Sequence, residues 1–171
     1  MYAIFEAFDS LNDFMSAGGM VLWLIAFLAL FMWALILERI WYFNSGHKEF
    51  MKPLVKQWNG ISDHSSWKAS QIKDKLRSEA KEEINKHMSL IQTCVALAPL
   101  FGLLGTVTGM IEVFNAMAVQ GGNARSMAAG VSMATIPTMS GMIASLSGMV
   151  GTTYLKRKVE FETRRFEDSL L

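Results

Sequence analysis

Charge is nearly absent from three long stretches of this chain, and that absence excludes an ordinary water-soluble domain. Residues 20–37 carry no charged side chain, residues 88–124 carry only Glu112, and residues 126–155 carry none. A helix rises about 1.5 Å per residue, so roughly 20 apolar residues cross a hydrocarbon core of about 30 Å. The chain of 171 residues is 51% hydrophobic and only 18% charged. The pattern predicts an all-α integral membrane protein with three transmembrane helices.

Residues that usually support catalysis or metal binding are also scarce. The single cysteine, Cys94, has no intramolecular disulfide partner, and the three histidines are scattered along the chain. No zinc-ligand spacing, glycine-rich phosphate loop or nucleophile elbow is present. We therefore expect no enzyme activity, no metal and no cofactor. The basic residues flank the apolar stretches and alternate with acidic ones, so we expect no nucleic-acid partner.

Lysine and arginine are missing from the first 38 residues, which orients the chain in the membrane. Ten lie between Arg39 and Met88, one (Arg125) follows the second apolar stretch, and five follow Leu155. Because such residues accumulate on the inner side, the N-terminus is predicted to lie outside and the C-terminus inside. The predicted segments are an outer amphipathic helix at 1–18, transmembrane helices at 19–41, 90–118 and 127–155, an inner segment at 42–89, an outer loop at 119–126 and an inner tail at 156–171.

The inner segment divides into an irregular part and a helical part. Gly46, Pro53 and Asn59-Gly60 are typical turn formers, so residues 44–65 are predicted to be irregular. From Ser66 onward, apolar or small residues recur every fourth position, which predicts a helix. Since no helix breaker precedes Pro99, we expect one continuous helix of about 50 residues into the second span. The tail is expected to prolong the third span inward in the same way.

Small residues form a stripe on one face of each of the last two spans. Lipid does not drive apolar helices together, so membrane helices associate by close approach of small residues. Both stripes therefore predict helix packing, with Glu112 completing the face of the first one. The stripe residues are Ala98, Gly102, Gly105, Gly109 and Ala116 in the second span, and Ala134, Thr138, Gly141, Ser145, Gly148 and Thr152 in the third.

Polar side chains inside these spans exceed what packing needs. Thr106, Thr135 and Thr138 either line a polar path or bond the backbone of their own helix. Pro137 removes a backbone donor, and we predict helix kinks at Pro99 and Pro137. Glu112 is the one ionisable side chain well inside a span. It is either functional or close enough to the outer loop to be hydrated.

Two motifs resemble a known family. LAPLFGLLGTVTGMIEVF (97–114) is similar to the second-span signature of the ExbB/TolQ/MotA family of proton-driven motor proteins, and GVSMATIPTMSGMIASL (130–146) is similar to its third-span pattern. The order of spans also matches, and the short chain looks most like ExbB. The resemblance implies a multi-pass protein of the bacterial inner membrane, with a periplasmic N-terminus and a cytoplasmic C-terminus.

The resemblance also implies partners and a polar path. It implies a homopentamer around single-span ExbD-like helices, with proton flow energising a TonB-like protein. Thr106 and Thr138 correspond to family threonines that face the bore, whereas Met133 stands where ExbB proteins often carry a glutamate. Because threonine does not titrate, the proton carrier is either Glu112 or a carboxylate of another chain. A TolQ-like or MotA-like subunit, or a passive oligomeric scaffold, is the alternative.

Overall fold

The computed structural model describes residues 12–16, 18–60, 66–120 and 124–169, and these are almost entirely helical. No strand occurs in these ranges. Three stretches, Gly19–Asn44, Trp67–Val119 and Met127–Asp168, are long and apolar enough to cross a membrane. The predicted all-α membrane fold, with the second and third spans prolonged, is confirmed. The elements are α1 (Gly19–Trp41), a π-helical turn (Tyr42–Gly46), α2 (His47–Asn59), α3 (Trp67–Asn85), α4 (Met88–Gln120) and α5 (Ala124–Asp168).

Most of the predicted outer amphipathic helix lies outside the described residues. Residues 12–16 are helical and are followed by a turn at Gly18. Gly19 then opens α1 with a φ of +62°. Only glycine adopts this left-handed conformation without a Cβ penalty, so the glycine at position 19 lets the chain turn into the first span.

The chain divides into two compact units. The first contains residues 1–32 and 93–149. Its core joins one face of α1 to the small-residue faces of α4 and α5. Gly148 on α5 lies against the Met32 side chain of α1, and Gly105 on α4 lies near Val21. The remaining faces of α1 keep large apolar side chains such as Trp23, Phe27 and Leu30 exposed, as a lipid-facing helix requires.

The second unit contains residues 33–92 and 150–171. Its core is built by amphipathic helices, and α3 buries Ala69, Leu76, Ala80 and Ile84 along one face. An ion pair at 2.6 Å joins Arg77 of α3 to Glu167 of α5. The Lys73 ammonium lies 5.6 Å from the centre of the Trp58 ring on α2. The four-residue periodicity predicted a helix here, and these buried residues share one face because helical neighbours lie three or four residues apart.

The prediction of an irregular segment at 44–65 is wrong for most of its length. The π-helical turn and α2 cover residues 42–59, and Pro53 lies inside α2. Met51 and Trp58 are buried, and Leu54 and Val55 are half-buried. These four residues lie at helical spacing, so burial of an apolar face outweighs the turn-forming tendency of the proline.

The prediction of one uninterrupted helix from Ser66 into the second span is also wrong. Lys86 and His87 form a turn between α3 and α4, and His87 has a φ of +62°. Neither residue type breaks helices by itself. The interruption is accompanied by a tertiary contact, because Arg39 of α1 bonds the carbonyls of Glu83 and Ile84 near the end of α3.

Candidate membrane-embedded site

The two small-residue stripes of α4 and α5 pack against each other within one chain. A Cβ added to Gly102 would lie 2.9 Å from the Thr138 Cα atom, and one added to Gly141 would lie 2.5 Å from the Ala98 carbonyl oxygen. A Cβ on Gly109 would lie 2.7 Å from that of Ala134. Backbones approach this closely only where side chains are absent or very small. The middle parts of the stripes, residues 102–109 on α4 and 134–141 on α5, are therefore the packing surface between these helices.

Pro137 has a specific place in this packing surface. Its ring is buried and lies directly over Gly105, where a Cβ would collide with the ring carbons. Both Pro99 and Pro137 lie inside helices that continue on either side of them. The missing side chain at Gly105 thus creates the space that the proline ring fills.

Two hydroxyl groups join α4 to α5. The Thr138 hydroxyl donates to the Gly102 carbonyl oxygen at 2.9 Å, and the Ser145 hydroxyl donates to the Val95 carbonyl oxygen at 2.9 Å. Each hydroxyl thus bonds a helix other than its own. Bonds of this kind contribute about 0.6 kcal/mol on average in membrane proteins, and up to about 1.7 kcal/mol. Thr138, a member of the small-residue stripe of the third span, thus also bonds α4 directly.

The other predicted threonines bond within their own helices. The Thr106 hydroxyl donates to the Leu103 carbonyl oxygen at 2.7 Å, and the Thr135 hydroxyl donates to the Ser132 carbonyl oxygen at 2.7 Å. Such bonds use the single hydrogen of the hydroxyl in an apolar surrounding and leave the oxygen lone pairs available to an incoming donor.

Glu112 lines a pocket of about 670 Å³ in the first unit. The pocket is bounded by α4, by α5 and by the chain entering α1, and its wall is mainly small and apolar. Gly105, Gly109 and Pro137 share this wall with Glu112, and the Thr108 hydroxyl adds a second polar group. The Glu112 side chain is exposed, so the pocket is open to groups from outside the chain.

The structure brings together only part of the predicted polar path. Of the three predicted threonines, all in the described part of the chain, none lines the Glu112 pocket. Thr138 lies in the α4–α5 packing surface, Thr106 is half-buried and Thr135 is exposed. Met133 does line the pocket.

Large apolar side chains cover the faces of α4 and α5 that point away from their packing surface. On α4 they recur at helical spacing (Leu103, Val107, Ile111 and Phe114), and on α5 Ile143 and Leu146 are similarly exposed. These faces are available to lipid or to other helices, because α4 and α5 contact each other through their small residues and leave the large ones uncovered.

A second polar cluster, around Arg39, was missed by the sequence analysis. The Arg39 side chain is 1% exposed and donates through one terminal nitrogen to the carbonyl oxygens of Glu83 and Ile84, both at 2.6 Å. Its guanidinium also lies 4.8 Å from the Tyr42 ring centre and 5.3 Å from that of Phe43. A cation at a helix C-terminus bonds carbonyls that lack a partner within the helix and interacts favourably with the helix dipole.

His87 adjoins the Arg39 cluster. Its Nδ1 atom lies 3.2 Å from a carboxylate oxygen of Glu38. Adjacent residues of α1 thus bond the end of α3 and the turn that follows it. The aromatic residues three and four positions after Arg39 were the available sequence signal, since they share its helix face.

The sequence is similar to a family of known proteins. The sequence model of the MotA/TolQ/ExbB proton channel family matches residues 43–168. The putative biopolymer transport protein ExbB-like 1 of Synechocystis sp. is 43% identical over 65 residues, 36% of this chain and 26% of that protein. The biopolymer transport protein ExbB of Aquifex aeolicus is 28% identical over 102 residues, 58% of this chain and 69% of that protein.

A third relative gives a similar result. The biopolymer transport protein ExbB of Helicobacter pylori is 29% identical over 85 residues, which is 49% of this chain and 59% of that protein. The chain thus spans between about a quarter and two thirds of the length of these relatives. The matches confirm the resemblance carried by residues 97–114 and 130–146.

Proposed function

Because the chain belongs to the MotA/TolQ/ExbB proton channel family, we propose that it is the ExbB-like subunit of a proton-driven motor in the bacterial inner membrane. In this proposal it acts with an ExbD-like single-span partner to energise a TonB-like protein for transport across the outer membrane. The family is one of proton channels rather than enzymes, and no catalytic role is proposed. The N-terminus lies in the periplasm and the C-terminus in the cytoplasm, in keeping with the distribution of lysine and arginine.

The observation that carries the proposal is Glu112 in its pocket beside the α4–α5 packing surface. No other charged residue lies between Met88 and Ala124, and none lies in residues 126–155. A carboxylate in such a span is expensive unless it is hydrated or functional. An open pocket of about 670 Å³ gives Glu112 access to water or to a partner's side chain. Proton transfer then runs either through Glu112 or through a carboxylate of the partner next to it.

The threonines have two different roles in the proposed path. Thr106 and Thr135 bond only their own helices, so each hydroxyl oxygen can still accept a hydrogen bond from water or from a protonated carboxyl group of a partner. Thr138 holds α4 to α5 through the Gly102 carbonyl oxygen. It therefore contributes to the wall of the path, and its removal affects assembly as well as conduction.

Oligomer formation is proposed to use the exposed apolar faces rather than the small-residue stripes. The stripes are occupied by packing between α4 and α5, whereas Leu103, Val107 and Ile111 on α4 remain exposed. A ring of copies of this chain, five by family resemblance, would bury these faces against neighbours or against the partner's helices.

The decisive experiment compares Glu112→Gln with Glu160→Gln in cells that contain the partner proteins. Glu160 is an exposed carboxylate outside the apolar part of α5, so its variant controls for lost charge. We expect Glu112→Gln to abolish partner-driven uptake while the purified complex keeps its size, and Glu160→Gln to leave uptake unchanged. Full uptake in both variants would assign proton transfer to the partner's carboxylate.

A second measurement separates the proposal from its alternatives. Extraction in mild detergent should recover a small single-span protein with one aspartate in its span. Two results together would instead favour a passive scaffold. They are that no such partner is recovered and that the double variant Thr106→Val/Glu112→Gln keeps full uptake. A TolQ-like or MotA-like role would be favoured if the co-purified partner served envelope constriction or flagellar rotation.

A further inference from the structure

A groove in the second unit has the composition of a protein-docking site. It has a volume of about 520 Å³ and lies between α2 and the end of α5. Its floor includes Met51, Val55 and Phe166, of which the first and last are buried. A volume of this size is typical of pockets that bind ligands, and its apolar floor requires an apolar surface from the occupant.

The rim of the groove is positively charged. Lys52, Lys56 and Arg165 all line it, and all three are exposed. Among the described lining residues the one acidic side chain, Glu162, is buried and lies 3.9 Å from Lys158 of its own helix. The accessible charge of this described lining is therefore that of the three cations, and the complementary surface is apolar in its centre and acidic at its edges.

The spacing of the rim cations identifies the form of the occupant. Lys52 and Lys56 are four residues apart on α2, which places them one helical turn apart on the same side. Carboxylates four residues apart on a second helix have the same repeat, and an apolar stripe between them would contact the floor. We propose that this groove binds an amphipathic helix of another protein that carries apolar residues on one face and glutamate or aspartate beside them.

This docking site does not depend on proton conduction. The test uses the full chain in nanodiscs of zwitterionic phosphatidylcholine and a fluorescein-labelled peptide helix of about four turns, with leucines on one face and glutamates at i and i+4 beside them. Two control peptides keep the length, one with lysine for glutamate and one with serine for leucine. Fluorescence anisotropy measures the dissociation constant for each peptide.

We expect the acidic peptide to bind and both control peptides to bind at least about tenfold more weakly. Lys52→Glu/Lys56→Glu should weaken binding of the acidic peptide by about tenfold or more, because two attractive contacts become repulsive. Lys68→Glu/Lys81→Glu changes the net charge equally at exposed positions on α3 outside the groove. That control should bind the acidic peptide as the unmodified protein does.

Three outcomes would overturn the proposal. The first is that the groove variant and the α3 control variant weaken peptide binding equally, which would indicate attraction of the peptide to the overall charge of the protein. The second is displacement of the peptide by vesicles of anionic phospholipid, which would identify lipid headgroups as the ligand. The third is binding by dissociated single chains but not by the intact assembly, which would show that a second copy of this chain occupies the groove.

Discussion

Substitution of Gly141 by alanine tests the close approach of α4 and α5. The new Cβ would lie 2.5 Å from the Ala98 carbonyl oxygen and 3.1 Å from the Gly102 Cα atom. Both are backbone atoms, so relief requires the helices to separate by about 1 Å, to an ordinary contact near 3.5 Å. Such a gap forfeits roughly a quarter to a half of the dispersion energy of each contact along the interface.

The same separation would lengthen the two hydrogen bonds between the helices. The bonds from Thr138 and Ser145 are both 2.9 Å long, and an added 1 Å takes them beyond bonding distance. Their loss costs about 0.6–1.7 kcal/mol each. The higher helix propensity of alanine offsets up to about 1 kcal/mol of this loss in stability. We therefore expect Gly141→Ala to destabilise the purified protein by about 1–3 kcal/mol.

Gly148→Ala is the matched comparison. Its Cβ would meet the end of the Met32 side chain and one methyl group of Val95, and no backbone atom is among its nearest contacts. The Met32 thioether can adopt other rotamers, so we expect a net change within about 1 kcal/mol. Unfolding by sodium dodecyl sulfate, followed by far-ultraviolet circular dichroism, measures both variants. The reasoning is refuted if Gly141→Ala is as stable as Gly148→Ala.

Three further predictions use the same unfolding assay. Arg39→Met should destabilise the protein by about 2–4 kcal/mol, because the carbonyls at the end of α3 lose two charge-assisted bonds; an unchanged stability would contradict a capping role. Thr138→Val should cost about 0.6–1.7 kcal/mol, whereas Thr106→Val, which breaks only a bond within its own helix, should stay within about 0.5 kcal/mol; equal losses would contradict the distinction. Gly19→Ala should cost about 1–2 kcal/mol through its φ of +62° alone, since no atom lies within 4 Å of the added Cβ; a stabilised variant would contradict this.

Much of the candidate site was predictable from sequence because membrane helices follow strict physical rules. Uncharged stretches revealed the spans, and steps of three and four between small residues revealed which faces of α4 and α5 pack. The isolated position of Glu112 among apolar residues marked it as a functional candidate. Proline was harder to interpret, because the place of Pro137 against Gly105 depends on how the two helices align.

The errors lie where long-range contacts outweigh local tendencies. Residues 47–59 contain a proline and were predicted to be irregular, yet α2 forms there because Met51 and Trp58 are buried. The break at Lys86–His87 follows no local rule, and the buried Arg39 that bonds the carbonyls beside it lies 44 residues away from Glu83 in the chain. A pattern within one helix carries no information about such a distant donor.

The sequence by itself determined the three spans, their packing faces and the family, because hydropathy and residue size act locally along a helix. Only the tertiary structure decided which hydroxyls are used for packing and which remain available. Thr138 and Thr106 are both threonines inside a span, but a carbonyl of the other helix accepts a hydrogen bond from only the first. Likewise, the sequence placed Arg39 only at the membrane boundary, and the tertiary structure shows that it is buried and caps the C-terminus of α3. The physical reason is that hydrogen bonding depends on distances of about 3 Å between helices, which no linear spacing specifies.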